Sequence, residues 1–291
     1  MLADLFSVLA PVFITAGIGF GWIKSGRSLD TNQFTPIIVW VGSPCLVFST
    51  LLGSGVTLDT LAEIAGLAVI AHAVAAALGY AVLRLSGQSV RAFLPSLMLP
   101  NTGNMGLPLC LFAFGEIGLA LGIAYFTISA ILQFTAGASI AAGGMSLKRF
   151  FATPHIYAVG LAIVLLSTDT VLPIWIANTV DLIGQFTIPL MLLFLGVSLA
   201  RLTVTGVARA VLLSLVRIGG GLAVGLVLVY AFGLEGPAAG VVLIQTSMPV
   251  AVFNYLFAQY YDNSPSEVAG LVVVSTAISF ATLPVLLYFV L

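Results

Sequence analysis

The stretch Leu99–Cys110 reads LPNTGNMGLPLC and lies inside a hydrophobic region long enough to cross a membrane. Between Pro100 and Pro108 it contains two prolines, two glycines and two asparagines. Proline interrupts the hydrogen-bond pattern of a helix, and glycine lowers the cost of leaving helical geometry. Because unpaired backbone groups are costly in hydrocarbon, a break here has to be buried in protein or line a water-filled cavity. The sequence therefore predicts a broken membrane helix.

The composition of the whole chain is that of an integral membrane protein. Of its 291 residues, 60% are hydrophobic and only 7% are charged, whereas soluble domains carry about 25% charged residues. Hydrophobic runs of about 20 residues, separated by polar or Gly/Pro-rich breaks, predict an all-α protein with ten transmembrane helices. The predicted spans are 3–23, 32–53, 60–84, 91–115, 117–143, 152–168, 172–200, 206–232, 236–260 and 266–290.

The sequence gives no support for a disulfide scaffold, a metal site or an enzyme. The two cysteines, Cys45 and Cys110, lie in apolar segments and indicate neither a disulfide scaffold nor a metal site. Paired intramembrane aspartates, a zinc motif and a recognisable Ser/His couple are all missing from the sequence. We predict a protein that is not an enzyme, has no cofactor or metal and binds no nucleic acid.

The basic residues predict how the chain is oriented. Eight of the nine Lys and Arg residues fall in alternate connections, namely Lys24, Arg27, Arg84, Arg91, Lys148, Arg149, Arg201 and Arg209. The opposite connections carry Asp59, Glu116, Asp169 and Glu235. By the positive-inside rule the basic face is cytoplasmic, which places both termini outside.

The chain shows signs of an inverted internal repeat. Three residue pairs recur at similar separations: Pro44 and Pro189, His72 and Arg217, and Pro108 and Pro249. Five spans in each half would invert the second copy relative to the first. We predict a five-plus-five repeat with halves 1–145 and 146–291.

The counterpart of the first break is predicted in span 9, where Ile244–Asn254 reads IQTSMPVAVFN with Pro249 at its centre. The alternative is a simple proline kink stabilised by neighbouring Ser and Thr side chains. Two breaks at mirrored positions that cross near the midplane are typical of a transporter binding site. Each helix that starts after a break directs free N–H groups and a partial positive charge at the crossing.

The candidate site residues follow from this crossing. The amides of Asn101 and Asn104 add hydrogen-bonding groups suited to a carboxylate. The full set of predicted substrate-site residues is Asn101, Asn104, Gln133, Pro108, Pro249, Ser247 and Asn254. The sequence therefore predicts a site for a small anion. Gln133 could instead serve only as a hydrogen bond between helices.

Four further polar residues carry open alternatives. Arg217, deep in span 8, is expected to face a cavity or a partner, as a ligand or as a brace, unless it reaches the cytoplasmic surface. His72 could couple transport to protons, because histidine titrates near physiological pH, or could bond a neighbouring helix. Asp181 is expected to line the cytoplasmic vestibule or to contact Arg217. His155 is expected at the membrane interface.

Four segments together resemble the auxin efflux carrier family, which includes the plant PIN-formed carriers and short bacterial members. They are NTGNMGLPL in span 4, LFLGVSLA in span 7, MPVAVFNYLFAQYY in span 9 and VVVSTAISFATLP in span 10. The resemblance implies a ten-helix fold similar to bile acid symporters and sodium/proton antiporters. Spans 1, 2, 6 and 7 (1–53 and 152–200) would form a scaffold. The remaining spans (60–143 and 206–291) would form a transport domain in which broken spans 4 and 9 cross.

The resemblance also implies a function. Family members move organic monoanions or dicarboxylates, and Asn101, Asn104, Gln133, Pro108 and Pro249 match the family's crossover and span 5 positions. The short connection around Lys148 is typical of a compact bacterial form, and span 3 lacks an Asp/Lys pair.

We therefore expect a secondary transporter for small organic anions in the bacterial inner membrane, with periplasmic termini and an elevator-type mechanism. Its expected partners are the anion and the lipid bilayer, and a homodimer through the scaffold helices is compatible with the fold. A sodium-coupled symporter of the bile acid type and a non-transporting membrane receptor are the alternatives.

Overall fold

The computed structural model describes residues 2–144, 153–168 and 170–291. Within these ranges every regular element is a helix, apart from one isolated antiparallel bridge between Pro100 and Val250. The predicted topology markers Lys148, Arg149 and Asp169 lie outside the described residues. The α-helices are α1 (Leu2–Lys24), α2 (Thr31–Ile37), α3 (Ser43–Gly53), α4 (Leu58–Leu85), α5 (Val90–Met98), α6 (Leu107–Leu132), α7 (Ala138–Ala142), α8 (Pro154–Ser167), α9 (Ile174–Arg201), α10 (Val207–Phe232), α11 (Gly236–Thr246), α12 (Val252–Tyr260) and α13 (Pro265–Val290). Three π-helical turns join some of them: π1 (Ile38–Gly42), π2 (Thr102–Gly106) and π3 (Gln133–Gly137).

Seven helical segments in the described ranges are long and apolar enough to cross a membrane. They are Leu5–Lys24, Gln33–Gly53, Leu58–Leu85, Thr102–Ala142, Ile174–Arg201, Val207–Phe232 and Pro265–Val290. Helices α8 and α11 are also apolar but shorter. Large hydrophobic side chains such as Phe6, Trp40 and Leu182 lie exposed on the outer surface, as expected where a surface meets lipid. The prediction of an all-α, multi-pass membrane protein is confirmed.

Helix α6 changes direction at Gly115. This residue has φ 63° and ψ −151° inside an otherwise helical segment, a conformation that glycine adopts far more readily than other residues. The next residue, Glu116, is exposed. The bend falls between the predicted end of span 4 and the predicted start of span 5.

The helices pack in two groups. Helix α1 lies against α9 so closely that a Cβ atom at Gly196 would be 1.8 Å from the carbonyl oxygen of Ala16. Helix α3 packs against both α8 and α9. In the second group α4 packs on α5 and α6, and α10 packs on α11 and α13. The candidate site lies between the two groups.

Contacts between helix ends place Arg91, Arg201 and Arg209 on one face. Arg201 at the end of α9 donates to the Leu29 carbonyl in the α1–α2 connection. Arg91 at the start of α5 donates to the carbonyl of Ala141 at the end of α7, at 2.9 Å. Arg209 at the start of α10 forms an ion pair with Glu267 at the start of α13, and its guanidinium stacks on the Phe93 ring of α5. We call this surface the basic face.

Candidate functional site

The two predicted helix breaks meet and pair with each other. The first spans residues 99–101, between α5 and π2, and the second spans residues 247–251, between α11 and α12. The Asn101 N–H donates to the Pro249 carbonyl oxygen at 2.7 Å, and the Ala251 N–H donates to the Leu99 carbonyl oxygen at 3.4 Å. Unpaired backbone groups of one break therefore find partners in the other, which is how non-helical backbone is tolerated at membrane depth.

The first break lies nearer the N-terminus than its proline and glycine content suggests. The chain becomes helical again at Thr102, and Gly103 and Gly106 belong to the π-helical turn rather than to the break. The helix that follows the first break starts before Pro108, which lies in the first turn of α6, directly after π2. Proline is well tolerated near a helix start, and the wide π turn bonds the Gly106 N–H to the Asn101 carbonyl at 3.1 Å.

Arg217 joins the ends of both broken helices. Its side chain is buried, and Nη1 donates to the Leu97 carbonyl oxygen in α5 at 2.9 Å. Nε donates to the Met248 carbonyl oxygen at 3.2 Å, and Nη2 donates to the Thr246 carbonyl oxygen. These carbonyls lie where α5 and α11 end, the negative ends of the two helix dipoles, so a guanidinium there is electrostatically favoured. The three contacts are those expected of a brace.

A chain of amides supports the first break from the other side. The Gln133 Nε2 atom donates to Asn254 Oδ1 at 2.8 Å. The Asn254 Nδ2 atom in turn donates to the Leu99 carbonyl oxygen at 3.1 Å. Both side chains are buried. The structure thus brings two predicted site residues, 121 positions apart, into direct contact beside the crossing.

An open cavity with about 530 Å³ of empty space lies next to the crossing. Its walls are mainly apolar, and none of its lining residues carries a formal charge at neutral pH. The polar lining residues are Ser43, Asn101, Thr102, Asn104, Ser129, Gln133 and His155.

The helix that follows the first break directs its start into this cavity. Residues Thr102, Gly103 and Asn104 line the cavity and form the first turn of a helix that continues through α6. The N–H groups of a first helical turn have no acceptor within the helix. The Thr102 N–H donates to the Pro100 carbonyl oxygen at 2.9 Å, so the free donors are those that follow it. The Nδ2 atom of Asn101 is buried and has no partner. This wall of the cavity therefore offers several hydrogen-bond donors and a positive dipole end without any cationic side chain.

The cavity continues toward the basic face. A second open cavity with about 990 Å³ of empty space shares five of its lining residues, including Asn104 and Phe253. Its own lining adds Ser198, Arg201 and Gln259, which lie at or near the C-terminal ends of α9 and α12. The site is therefore reached from the basic face along a path that passes Asn104.

His72 lies behind the cavity and is connected to it through Ser129. Its Nδ1 atom contacts the Ala68 carbonyl oxygen at 2.7 Å, so Nδ1 carries a proton. Its Nε2 atom is 3.0 Å from Ser129 Oγ, and Ser129 lines the cavity. His72 also borders a small void together with Arg217, its counterpart in the predicted repeat.

The remaining predicted site residues lie away from the cavity. Pro108, Pro249, Ser247 and Asn254 do not line it. The expected contact between Asp181 and Arg217 is not formed: Asp181 accepts a hydrogen bond from Gln185 at 2.6 Å and lines a separate cavity near the N-terminal end of α9. The N-terminal end of α9 is opposite to the end that carries Arg201. The hydrogen-bond donors of Arg217 bind backbone carbonyl groups instead of Asp181.

Four polar residues of the cavity were not among the predicted substrate-site residues: Ser43, Thr102, Ser129 and His155. His155 was expected at the membrane interface, but it is buried and lines the cavity. Ser43 lies beside it, with 2.8 Å between Ser43 Oγ and His155 Nε2. The pairing could not be read from local sequence, because the two residues are 112 positions apart. The only local signal was a histidine in the first turn of an apolar helix.

Comparison with known proteins finds relatives along most of the chain. The chain is 24% identical over 279 residues to an uncharacterized transporter of Methanocaldococcus jannaschii, covering 89% of each chain. It is 26% identical over 269 residues to an uncharacterized transporter of Methanothermobacter thermautotrophicus, covering 88% of this chain and 87% of the relative. The membrane transport protein family, to which the PIN-like auxin efflux carriers belong, matches residues 4–143 and 138–287. The chain therefore belongs to this family of membrane transport proteins.

Proposed function

We propose that this protein is a secondary transporter that moves small organic anions across the membrane. The observation that carries this proposal is the buried, unpartnered Nδ2 atom of Asn101 beside the start of the helix at Thr102. A carboxylate placed there would accept hydrogen bonds from the amide and from free backbone N–H groups. The apolar remainder of the cavity would hold the body of the substrate.

The uncharged lining favours anions of low charge. Arg217 has its donors on carbonyl groups and does not line the cavity. One helix start and a few amides can balance at most about one negative charge. Auxin-like monocarboxylates and singly charged forms of malate- or malonate-like dicarboxylates are therefore the proposed substrates.

An elevator-type mechanism is the proposed route of transport. In this proposal the chain has ten spans in two inverted repeats, 1–145 and 146–291. Its scaffold comprises 1–53 and 152–200, and its transport domain comprises 60–143 and 206–291. The position of the cavity supports this division, since Ser43, His155 and Met191 line one side while the crossing lines the other. Sliding of one helix group past the other would expose the cavity to opposite sides of the membrane in turn.

The proposed orientation places the basic face in the cytoplasm and both termini in the periplasm of a bacterial cell, with the protein in the inner membrane. The positive-inside rule supports this orientation. The present structure would then be open to the cytoplasm, because the cavity is reached from the basic face. The scaffold helices are the proposed surface for a homodimer.

Counterflow in proteoliposomes tests the proposed function. Vesicles loaded with unlabelled pentanoate, indole-3-acetate or malonate receive a trace of the same radiolabelled anion. We expect accumulation of label with the wild-type protein, and about tenfold weaker half-saturation with Asn101→Ala. Binding without counterflow would support the alternative of a non-transporting receptor.

The sodium-coupled symporter is tested in the same vesicles by replacing sodium with choline. Sodium sites in proteins are built from oxygen ligands such as carboxylates and carbonyls, and no acidic residue lies inside the predicted spans 4, 5 and 9. We expect counterflow to be independent of sodium. A rate that requires sodium would favour the bile acid type of mechanism.

A further inference from the structure

The cavity has a second polar position on the wall formed by α3 and α8. Ser43 and His155 are both buried, and 2.8 Å separates Ser43 Oγ from His155 Nε2. The His155 ring stands edge-on to the Phe126 ring, with 5.3 Å between ring centroids. The hydroxyl and the aromatic contact together hold the imidazole in one orientation.

The other ring nitrogen of His155 has no partner. Among the described residues that line this cavity, only Asn101 and His155 have a buried side-chain nitrogen or oxygen without a hydrogen bond. Unpaired buried polar atoms are destabilising and uncommon in native proteins. Asn101 Nδ2 belongs to the first helix break and His155 Nδ1 belongs to α8. The two unpaired nitrogens thus belong to different elements that line the same cavity.

The Ser43 hydroxyl allows His155 to bind either kind of hydrogen-bonding group. If the hydroxyl donates to Nε2, then Nδ1 carries the proton and donates to an oxygen. If Nε2 donates to the hydroxyl oxygen, then Nδ1 accepts. Ser43 acts through the imidazole and is a positioning residue.

We infer that His155 Nδ1 binds a second polar group of the substrate, while the Asn101 side of the cavity holds its carboxylate. This inference rests on the proposed function and narrows its substrate class. The substrate is then a short carboxylic acid that carries a hydroxyl group or a second carboxyl group beyond an apolar chain. The side chains of Ile38, Val39 and Met191 supply apolar wall for that chain.

Matched ligands test the inference without any substitution. Dissociation constants of pentanoate, 5-hydroxypentanoate and glutarate are measured by calorimetry on the protein in lipid nanodiscs, together with the corresponding four- and six-carbon series. We expect the second polar group to tighten binding about threefold to tenfold over the alkyl acid at one chain length. The hydroxy acid and the diacid distinguish a hydroxyl partner from a carboxylate partner. Equal affinity within every series would overturn the inference.

Two substitutions of His155 then locate the effect. In His155→Gln the amide can replace Nε2 but leaves no polar atom at the Nδ1 position, whereas in His155→Asn the amide replaces Nδ1. We expect the affinity ratio between hydroxy acid and alkyl acid to fall to about one in His155→Gln and to be partly retained in His155→Asn. A full ratio in His155→Gln would also overturn the inference.

The alkyl acid separates this inference from the proposed function. If Asn101→Ala weakens pentanoate binding while the second polar group has no effect, only the inference fails. If pentanoate binding does not depend on Asn101, or if no probe binds, the proposed function fails and the inference fails with it.

Discussion

The backbone N–H of Asn101 donates to the carbonyl oxygen of Pro249 over 2.7 Å. This bond joins two helix breaks that are almost 150 residues apart, and it leaves the Asn101 side chain directed away from the pairing. One residue thus serves two purposes, because its backbone holds the crossing together while its amide nitrogen stays without a partner beside a cavity.

Substitution of Asn101 by alanine should weaken binding of pentanoate. The amide would form a charge-assisted hydrogen bond to the carboxylate, so its loss costs about 1.5–3 kcal/mol, or about tenfold or more in affinity. Folding should be retained, because the removed Nδ2 has no partner within the protein. Titration calorimetry in nanodiscs measures the change.

Two comparisons complete the Asn101 experiment. Asn104→Ala should give a smaller loss, because this side chain is only partly buried and lies where the cavity opens. Asn178→Ala, an exposed asparagine on α9 that lines a separate cavity, is the matched control. Full affinity in both the Asn101 and the Asn104 variants would place the ligand elsewhere.

Substitution of Arg217 should affect stability more than binding. Arg217→Gln leaves buried carbonyl oxygens of both breaks without donors, and each unsatisfied group costs about 1–3 kcal/mol. We expect a clear fall in the thermal midpoint and loss of counterflow, with the affinity of the folded fraction changed only a few-fold. Arg217→Lys should recover little, since an ammonium cannot reproduce the planar guanidinium fork.

If Arg217 is instead a direct ligand, its substitution should change the affinity for the anion more than the stability of the protein. Binding of a dianion such as malonate would then be abolished in Arg217→Gln, while a monoanion would be affected less. That pattern, with an unchanged thermal midpoint, would contradict the bracing role.

Gln133 and Asn254 should behave as a coupled pair. The Gln133 amide donates to Asn254, which in turn holds the Leu99 carbonyl of the first break. In a double-mutant cycle with alanine, the loss of stability in the double variant should be smaller than the sum of the single losses by about 0.5–3 kcal/mol. Additive effects on the unfolding free energy would show that the hydrogen bond is energetically unimportant.

Gln133→Ala should also weaken pentanoate binding, because Gln133 lines the cavity whereas Asn254 does not. The same calorimetric measurement distinguishes the two residues. If affinity falls in Asn254→Ala but not in Gln133→Ala, the assignment of the binding role to Gln133 is wrong.

Labelling of single cysteines should report the orientation. In a background where Cys45 and Cys110 are replaced by serine, cysteines at Asp59 and Glu235 should react with an impermeant maleimide applied to intact cells. Cysteines at Arg84 and Arg201 should react only after permeabilisation. The reverse pattern would place the basic face outside and make the present structure open to the exterior.

The sequence by itself determined the features that depend on local chemistry. Hydropathy gave helix limits close to those observed, as for α10, predicted at 206–232 and found at Val207–Phe232. The breaks were predictable because Pro100 and Pro249 cannot donate a backbone hydrogen bond. Arg91, Arg201 and Arg209 lie on one face, as the spacing of the charges in the connections indicated.

Only the tertiary structure decided which groups satisfy the broken backbone and which remain free. The first break lies at 99–101 because those residues pair with the second break, although the prolines and glycines extend to Pro108. Arg217 contacts the Leu97 carbonyl 120 residues away, and Ser43 meets His155 112 residues away. Local sequence states which polar groups a membrane helix carries, but the partner of each buried group is set by long-range packing. The position of the site therefore follows from where that pairing is incomplete.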